Sequence, residues 1–238
     1  MISVIIPALN EEKLIENVLK QFTPELKKKF HLEVIVSDGG STDNTIGLAR
    51  KHADKVIEER SKQNISRGRN LGAASSLGDV LIFFNADTRI TDPADFLTEA
   101  IATLNLQDVG AIACPIKVFP ELEKASDRAF HGFYNAYVKI LNRYFFGMGR
   151  GECHIIKREC FEDFGGYNEK LAAGEDFDLY RRVRSKWGIA FNDKLLVFES
   201  PRRYRKFGYV RVVFDWIKNS IWVTLFKRSI SDEWDPVR

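Results

Sequence analysis

The sequence predicts an α/β protein whose doubly wound sheet is mostly parallel. Apolar, strand-like segments alternate with helical ones through the first half of the chain, and the connections between them are short. This pattern is typical of parallel sheets with helices on both faces. Segment 80–84 is apolar at every position, as expected of a strand that is buried on both sides.

The first half of the chain is predicted to run β-α-β-α-β-α-β. Its first helix follows Asn10, a suitable N-cap because its side chain accepts a hydrogen bond from free helical N–H groups. Leu14, Val18 and Leu19 then recur at helical spacing. The predicted elements are strand 2–6, helix 11–22, strand 32–36, helix 45–52, strand 55–57, helix 66–77 and strand 80–84.

The second half is less regular. Its predicted elements are strand 109–114, an aromatic-rich helix 126–144, helix 157–164, a turn at Gly165-Gly166 and helix 175–186. The aromatic residues of helix 126–144 recur at helical spacing, which favours burial in the core. We therefore expect one domain over 1–200, made of a nucleotide half (1–113) and an acceptor half (114–200).

Composition bounds the class of protein. The chain has 238 residues, 45 % of them hydrophobic and 29 % charged, with three cysteines, as in an ordinary globular protein of a reducing compartment. Neither an apolar run long enough to span a membrane nor a signal-peptide pattern is present. These features lead us to expect a cytoplasmic protein.

The C-terminal segment 201–238 is basic. Between Arg202 and Arg228, eight basic residues accompany one acidic residue in a chain of net charge +3, which favours an anionic partner. Residues 210–226 are predicted to form an amphipathic helix that contacts the inner face of a membrane, a second subunit through 207–228, or its own domain. The pattern does not choose among these, and nucleic acid is the least favoured partner.

Asp87 is the first candidate functional residue. It follows the buried strand 80–84 within the tripeptide Asn85-Ala86-Asp87. A carboxylate at that edge of the sheet reaches solvent and can meet a cation. Alternatively, the tripeptide only turns the chain, since Asp and Asn are common turn residues.

Asp38 ends the second predicted strand and opens the turn Asp38-Gly39-Gly40-Ser41-Thr42-Asp43. We expect its carboxylate to lie beside Asp87 and to accept a hydrogen bond from a base or a ribose hydroxyl. The local alternative is that polar residues of the turn cap the next helix, and we favour that role for Asp43.

Six motifs together resemble the family-2 nucleotide-sugar glycosyltransferases of the GT-A fold, in the order of that family and over about residues 2 to 200. The motifs are IIPALNEE (5–12), VIVSDGGSTD (34–43), RNLGA (69–73), GDV leading to NAD (78–87), GGY (165–167) and GEDFDLYRR (174–182). The resemblance implies a GT-A-type sheet and transfer of a sugar from a UDP- or GDP-sugar.

The resemblance also implies roles for single residues. Pro7, Leu9 and Glu11 would line the nucleotide, Asp38 would contact its base, and Arg69 would reach the diphosphate. Asn85-Ala86-Asp87 matches the D-x-D metal motif, with Asp87 holding Mn or Mg. The chain departs from the motif at Asn85, which can form hydrogen bonds but carries no charge.

Asp176 is the implied catalytic base, taking a proton from the acceptor hydroxyl in an inverting, in-line displacement. The structural alternative is that Glu175 and Asp176 stabilise a helix dipole, and we assign Asp178 to a helix ion pair. Arg203 lies in a basic segment, 202–209, that resembles relatives acting on polyprenyl phosphates. The acceptor is thus a sugar or a polyprenyl phosphate. The alternative function is a non-catalytic nucleotide-sugar-binding or scaffold protein with an anion-binding tail.

Overall fold

Ten strands lie among residues 1–59 and 64–226, which are the residues that this computed structural model describes. They are β1 (Ile2–Ala8), β2 (Leu32–Asp38), β3 (Lys55–Glu58), β4 (Val80–Phe84), β5 (Thr88–Ile90), β6 (Val109–Ala113), β7 (Ile116–Val118), β8 (Cys153–Lys157), β9 (Gly188–Phe191) and β10 (Val197–Glu199). Seven of them form one sheet, in the order β3-β2-β1-β4-β8-β6-β9. The other three form a small sheet, in the order β5-β10-β7.

Helices cover the large sheet and extend beyond it. In the described part of the chain they are α1 (Ile15–Leu19), α2 (Pro24–Phe30), α3 (Thr45–His52), α4 (Ile65–Ala74), α5 (Pro93–Leu104), α6 (Ala125–Tyr144), α7 (Arg158–Asp163), α8 (Glu175–Val183), α9 (Arg202–Phe207) and α10 (Tyr209–Phe226).

The predicted mostly parallel sheet is confirmed. β1 pairs in parallel with β2 and β4, and β2 pairs in parallel with β3. Within this sheet only β8 runs against its neighbours, β4 and β6. The carboxyl ends of β1, β2 and β4 therefore meet at one edge.

Two apolar layers hold the sheet. Val4, Ile6 and Ile82 point into a cluster shared with α1 and α5. Ile5 and Phe83, which alternate with them, pack on the other face with Tyr167 and α8. The period of two along a strand sends successive side chains to opposite faces, so one apolar run supports both layers.

Several predicted boundaries were wrong. The helix expected over 11–22 is only α1, because Asn10 has a left-handed backbone with φ of 53° and Leu14 stands at the N-cap position. The Asn10 side chain instead accepts from the Thr42 N–H at 2.7 Å. The sequence reasoning missed α2 and α5, although Thr23 and Asp92 cap them ahead of prolines. It also missed β8, β9, α9 and the small sheet.

The C-terminal helices were predicted in part. The expected helix over 210–226 is α10, while residues 227–238, which include Lys227 and Arg228, lie outside the described residues. α9 is tied to α6 by Arg205, which donates to the buried carboxylate of Asp127 at 2.7 Å. None of the helices within the described ranges is both long and apolar enough to cross a bilayer.

The aromatic face of α6 was assigned wrongly. Phe133, Tyr137 and Tyr144 are exposed, whereas Tyr134 is half-buried against Trp216 of α10, with ring centroids 5.4 Å apart. The spacing identified one face of the helix correctly, but only packing decides whether a neighbour covers that face.

Candidate active site

A cavity of about 730 Å³ opens at the carboxyl ends of β1 and β4. Its floor is the edge of the sheet, and its walls come from α8, α9, α10 and the segment before β8. Such a crevice at the carboxyl edge is where open α/β sheets bind ligands. The sequence-predicted residues that line it are Pro7, Leu9, Glu11, Arg69, Asn85, Ala86, Asp87, Asp176 and Arg203.

Asp87 and Glu11 converge on one cation. Both terminal nitrogens of Arg202 donate hydrogen bonds to the Glu11 carboxylate, at 2.7 and 3.0 Å. One of these nitrogens also lies 3.2 Å from Asp87 Oδ2. Burial raises the pKa of Asp87 to about 6, although Arg202 opposes the rise. The two carboxylates thus form a site for positive charge at the end of β4.

Arg202 was missed as a site residue, because the sequence showed it only as one member of a basic run. Its neighbour Arg203 was chosen and also lines the cavity. The local pattern does not separate them. The placement of Glu11 opposite α9, 191 residues away along the chain, assigns the ion pair to Arg202.

The carboxylate oxygens around Asp87 suit a divalent ion whose remaining coordination positions are filled by a bound ligand. In 1–59 and 64–226 there is no group of three or more His, Cys, Asp or Glu side chains that could hold a metal by themselves. Asp87 and Glu11 nevertheless supply carboxylate oxygens, which suit Mg and Mn. A diphosphate and water would provide the remaining oxygens.

Asp38 does not present its carboxylate to the cavity, contrary to expectation. It is fully buried and accepts from the N–H groups of Gly40 and Ser41, at 2.9 and 2.7 Å, and from the Ser41 hydroxyl at 2.6 Å. Its neighbours Ser37 and Gly39 line the cavity instead. The side chain shapes the loop because an ionised carboxylate in a tight turn takes the nearest backbone donors.

Arg69 also differs from expectation. The side chain is fully buried and donates to Glu175 Oε1 at 2.6 Å, to Asn85 Oδ1 at 3.0 Å and to the Gly151 carbonyl at 2.6 Å. These bonds engage both terminal nitrogens, so in this structure Arg69 joins the two halves of the site rather than facing a diphosphate. Asn85 is held by the same contact.

We expect Arg69→Met to lower the free energy of unfolding by about 3–5 kcal/mol, because it leaves Glu175 buried without its partner. Urea denaturation followed by circular dichroism measures the loss. Arg67→Met is the matched control, since Arg67 is 43 % exposed in its ion pair with Glu59, and its loss should be at most about 1 kcal/mol. Equal losses for the two variants would show that Arg69 does not join the halves.

Asp176 lies at the start of α8, and Gly174, whose backbone is left-handed (φ 79°), occupies the N-cap position of that helix. Its Oδ1 accepts from the Phe177 N–H at 2.7 Å. Burial, followed by the nearby Glu175 carboxylate, raises its pKa to about 7. A carboxylate of that pKa, open to a cavity, is suited to accept a proton near neutral pH. Asp178 pairs with Arg182 at 2.8 Å, which confirms its structural assignment.

A second charged cluster on the cavity wall was not predicted. Arg150 is 3.5 Å from Glu152 and 3.3 Å from Glu199, and the Tyr204 hydroxyl donates to Glu199 at 2.9 Å. The glycines around Arg150 were visible in the sequence, but nothing local connects them with Glu199 on β10. The tertiary fold alone brings these side chains together.

The fold, with its cavity at the carboxyl edge of the sheet, is of the GT-A type. The sequence profile described as "Glycosyl transferase family 2" matches residues 3–171, so the chain belongs to that family. It is 29 % identical over 230 residues to the succinoglycan biosynthesis protein ExoA of Rhizobium meliloti, which covers 87 % of this chain and 67 % of ExoA.

A second relative is the glycosyltransferase AglE of Haloferax volcanii, 26 % identical over 190 residues. That match covers 76 % of this chain and 60 % of AglE, so the chain spans less than two thirds of that relative's length.

Solved structures confirm the fold. The mannosyltransferase PcManGT of Pyrobaculum calidifontis, in complex with GDP-Man and Mn²⁺, superposes with a TM-score of 0.68 at 23 % identity, over 84 % of this chain and 56 % of that one. Glucosyl-3-phosphoglycerate synthase of Mycobacterium tuberculosis, in complex with Mn²⁺ and UDP, gives 0.62 at 19 % identity, over 94 % and 78 %.

Proposed function

We propose that the protein moves a sugar from a UDP- or GDP-sugar to an acceptor, with a divalent metal and inversion at the anomeric carbon. The main support for this proposal is that Asp87 and Asp176 line one cavity. Asp87 lies at a site for positive charge, and the pKa of Asp176 is raised to about 7. The solved neighbours with nucleotide sugars and Mn²⁺ support the donor class and the metal.

The donor is proposed to lie along the carboxyl ends of β1, β2 and β4. Pro7, Leu9 and Ser37 offer the nucleoside a partly apolar surface. The diphosphate would then reach Asp87, beside Arg202, with Arg203 also in the cavity lining. Asp38 acts there by holding the loop that contacts the nucleoside.

A divalent metal at Asp87 would neutralise the charge that gathers on the leaving diphosphate. Arg202 adds a fixed positive charge at the same end of the cavity, and its guanidinium suits phosphate oxygens. Asp176 takes the proton from the acceptor hydroxyl. The acceptor oxygen forms the new bond to the anomeric carbon, and the bond to the diphosphate breaks with its electron pair leaving on the phosphate.

The predicted partners of 207–228 remain predictions. α10 carries an exposed apolar stripe of Val210, Phe214, Ile217 and Ile221, which supports peripheral contact with the inner face of a membrane or a homodimer. Nothing in the stripe chooses between them. Cytoplasmic localisation remains a prediction as well.

A thermal-shift screen of UDP- and GDP-sugars, with and without Mn²⁺, tests the proposal. We expect one donor class to raise Tm by a few degrees only when Mn²⁺ is present, because a ligand that binds the folded state stabilises it. The stabilising donor is then incubated with the protein, and release of the nucleoside diphosphate is measured. Release of this product distinguishes an enzyme from the non-catalytic alternative. No stabilisation by either class would contradict the proposal.

A further inference from the structure

We infer that the acceptor is the hydroxyl of an uncharged sugar ring, bound between the aromatic pair Tyr134 and Trp216 and the carboxylate of Glu152. This rests on the proposed function, since it names the second substrate of the same cavity. Tyr134, Glu152, Asp176 and Trp216 all line that cavity. We call this surface the acceptor wall.

The aromatic part of the acceptor wall suits a sugar ring. Tyr134 and Trp216 have centroids 5.4 Å apart and planes tilted by 33°, and both side chains are half-buried. The Arg150 guanidinium lies 4.9 Å from the Tyr134 ring centroid, so it packs against that ring and restrains it. The apolar C–H face of a pyranose can pack on such rings.

The acidic part of the acceptor wall supplies hydrogen-bond acceptors. Glu152 and Glu199 are hydrogen-bonded to each other. Burial and Glu152 raise the pKa of Glu199 well above its ordinary value. At Glu152 burial is the largest single influence, but Arg150 and the hydrogen bonds to the carboxylate together outweigh it and lower the pKa of that group. Glu199 thus keeps the proton and Glu152 carries the charge. An ionised carboxylate accepts only, so it pairs with donors such as sugar hydroxyls.

The acceptor wall offers an anionic acceptor little positive charge. Arg69 is paired with Glu175, and Arg150 lies beside Glu152 and Glu199, while the other two arginines of the cavity lining, Arg202 and Arg203, are those assigned above to the donor diphosphate. His131 lies 3.7 Å from Glu199 and adds no charge, because burial, followed by Arg150, lowers its pKa to about 3. A phosphate brought to this wall would lose water in a partly desolvated cavity without gaining a new cationic partner from Arg69 or Arg150.

The proposed base points the same way. A phosphate acceptor with a second pKa near 6 is already ionised at neutral pH, so it needs no proton acceptor. A sugar hydroxyl must lose its proton as the new bond forms, and Asp176 is placed to receive it. The placement of Asp176 in the cavity lining therefore suits a hydroxyl acceptor better than a phosphate.

Transfer assays with the full chain test the inference. The stabilising donor and Mn²⁺ are incubated with octyl glucoside or octyl mannoside as neutral acceptors, and with undecaprenyl phosphate or 3-phosphoglycerate as anionic ones. Products are identified by mass spectrometry. We expect transfer to a neutral glycoside and at least about tenfold less to either phosphate.

Variants then locate the acceptor. Trp216→Ala should raise KM for the neutral glycoside by about tenfold and leave the donor Kd within about twofold. Phe214→Ala is its matched control, since Phe214 lies on the same helix but is 65 % exposed and outside the cavity lining. Glu152→Gln should raise that KM more than Glu199→Gln, because only Glu152 is ionised.

The outcomes separate the two proposals. Transfer mainly to a phosphate, or donor cleavage with no transfer to any neutral glycoside, overturns the inference and leaves the proposed function standing. Equal effects of Trp216→Ala and Phe214→Ala also overturn it. Failure of the wild type to bind any nucleotide sugar overturns the proposed function, and the inference with it.

Discussion

Asp176→Asn is expected to lower kcat by about 10²- to 10⁴-fold, because it removes the group that accepts the proton of the incoming hydroxyl. The asparagine keeps the size of the side chain and can still accept from the Phe177 N–H, so donor binding should persist. Single-turnover kinetics with the stabilising donor measure the chemical step, and titration calorimetry measures the donor Kd. A parallel loss of donor affinity would assign Asp176 to binding instead.

The pH profile is a second readout of the same change. Asp176 accepts a proton only when it is ionised, and its pKa is raised to about 7, so the wild-type kcat should rise between about pH 6 and 8 and then level. Asp176→Asn should lose that rise. A wild-type rate that is flat over this range would argue against a base with this pKa.

Asp176→Asn should also leave the fold intact. Between the ordinary pKa of 3.8 and the raised value of about 7, the folded state holds more protons than the unfolded state, so ionisation of Asp176 lowers stability as pH rises through this window. At pH 7.5 the variant lacks that cost. Its urea midpoint should therefore equal or exceed that of the wild type.

Asp87→Asn is expected to abolish Mn²⁺-dependent donor binding, a loss of at least about 100-fold in affinity, because it removes the charged ligand at the proposed metal position. Titration calorimetry of the donor with and without Mn²⁺ measures the effect. The variant should unfold no earlier than the wild type, since burial raises the pKa of Asp87 to about 6 and its charge is costly to hold. Undiminished binding would remove Asp87 from this role.

Arg202→Gln removes a positive charge beside Asp87, whereas Asp87→Asn removes the negative charge. Arg202 lies 3.2 Å from Asp87 and pairs with Glu11, so it competes for the carboxylates that a metal would use. We expect Arg202→Gln to strengthen binding of Mn²⁺ alone and to weaken binding of the donor diphosphate, since Arg202 also supplies positive charge to the phosphates. Weaker binding of both would mean that Arg202 supports the metal site instead of competing with it.

The helices were predicted with uneven success for a physical reason. α3 and β4 were predicted with the observed bounds because each has a simple pattern over its whole length. α1 was predicted too long, since the left-handed Asn10 serves the loop after β2 rather than a helix. A contact between segments 32 residues apart overrode the local propensity for a cap.

The candidate site residues also differ in how well their positions were predicted. Asp87 and Asp176 line the cavity as expected, because their positions are defined locally, one after a buried strand and the other at the start of a helix. Asp38 and Arg69 make contacts other than those expected. Their charges are satisfied by Ser41 in one case and by Glu175 in the other, and no local pattern shows where a polar side chain will find its partner.

The sequence by itself determined the alternation of strands and helices, the edge of the sheet at which the cavity opens, and the two acids, Asp87 and Asp176, that line it. These features follow from short-range periodicity and from where apolar runs stop. Only the tertiary structure decided that Arg202 meets Asp87 and that Arg150, Glu152 and Glu199 form one wall. Those contacts join residues far apart in the chain, and burial decides which charges must pair because an isolated buried charge is costly.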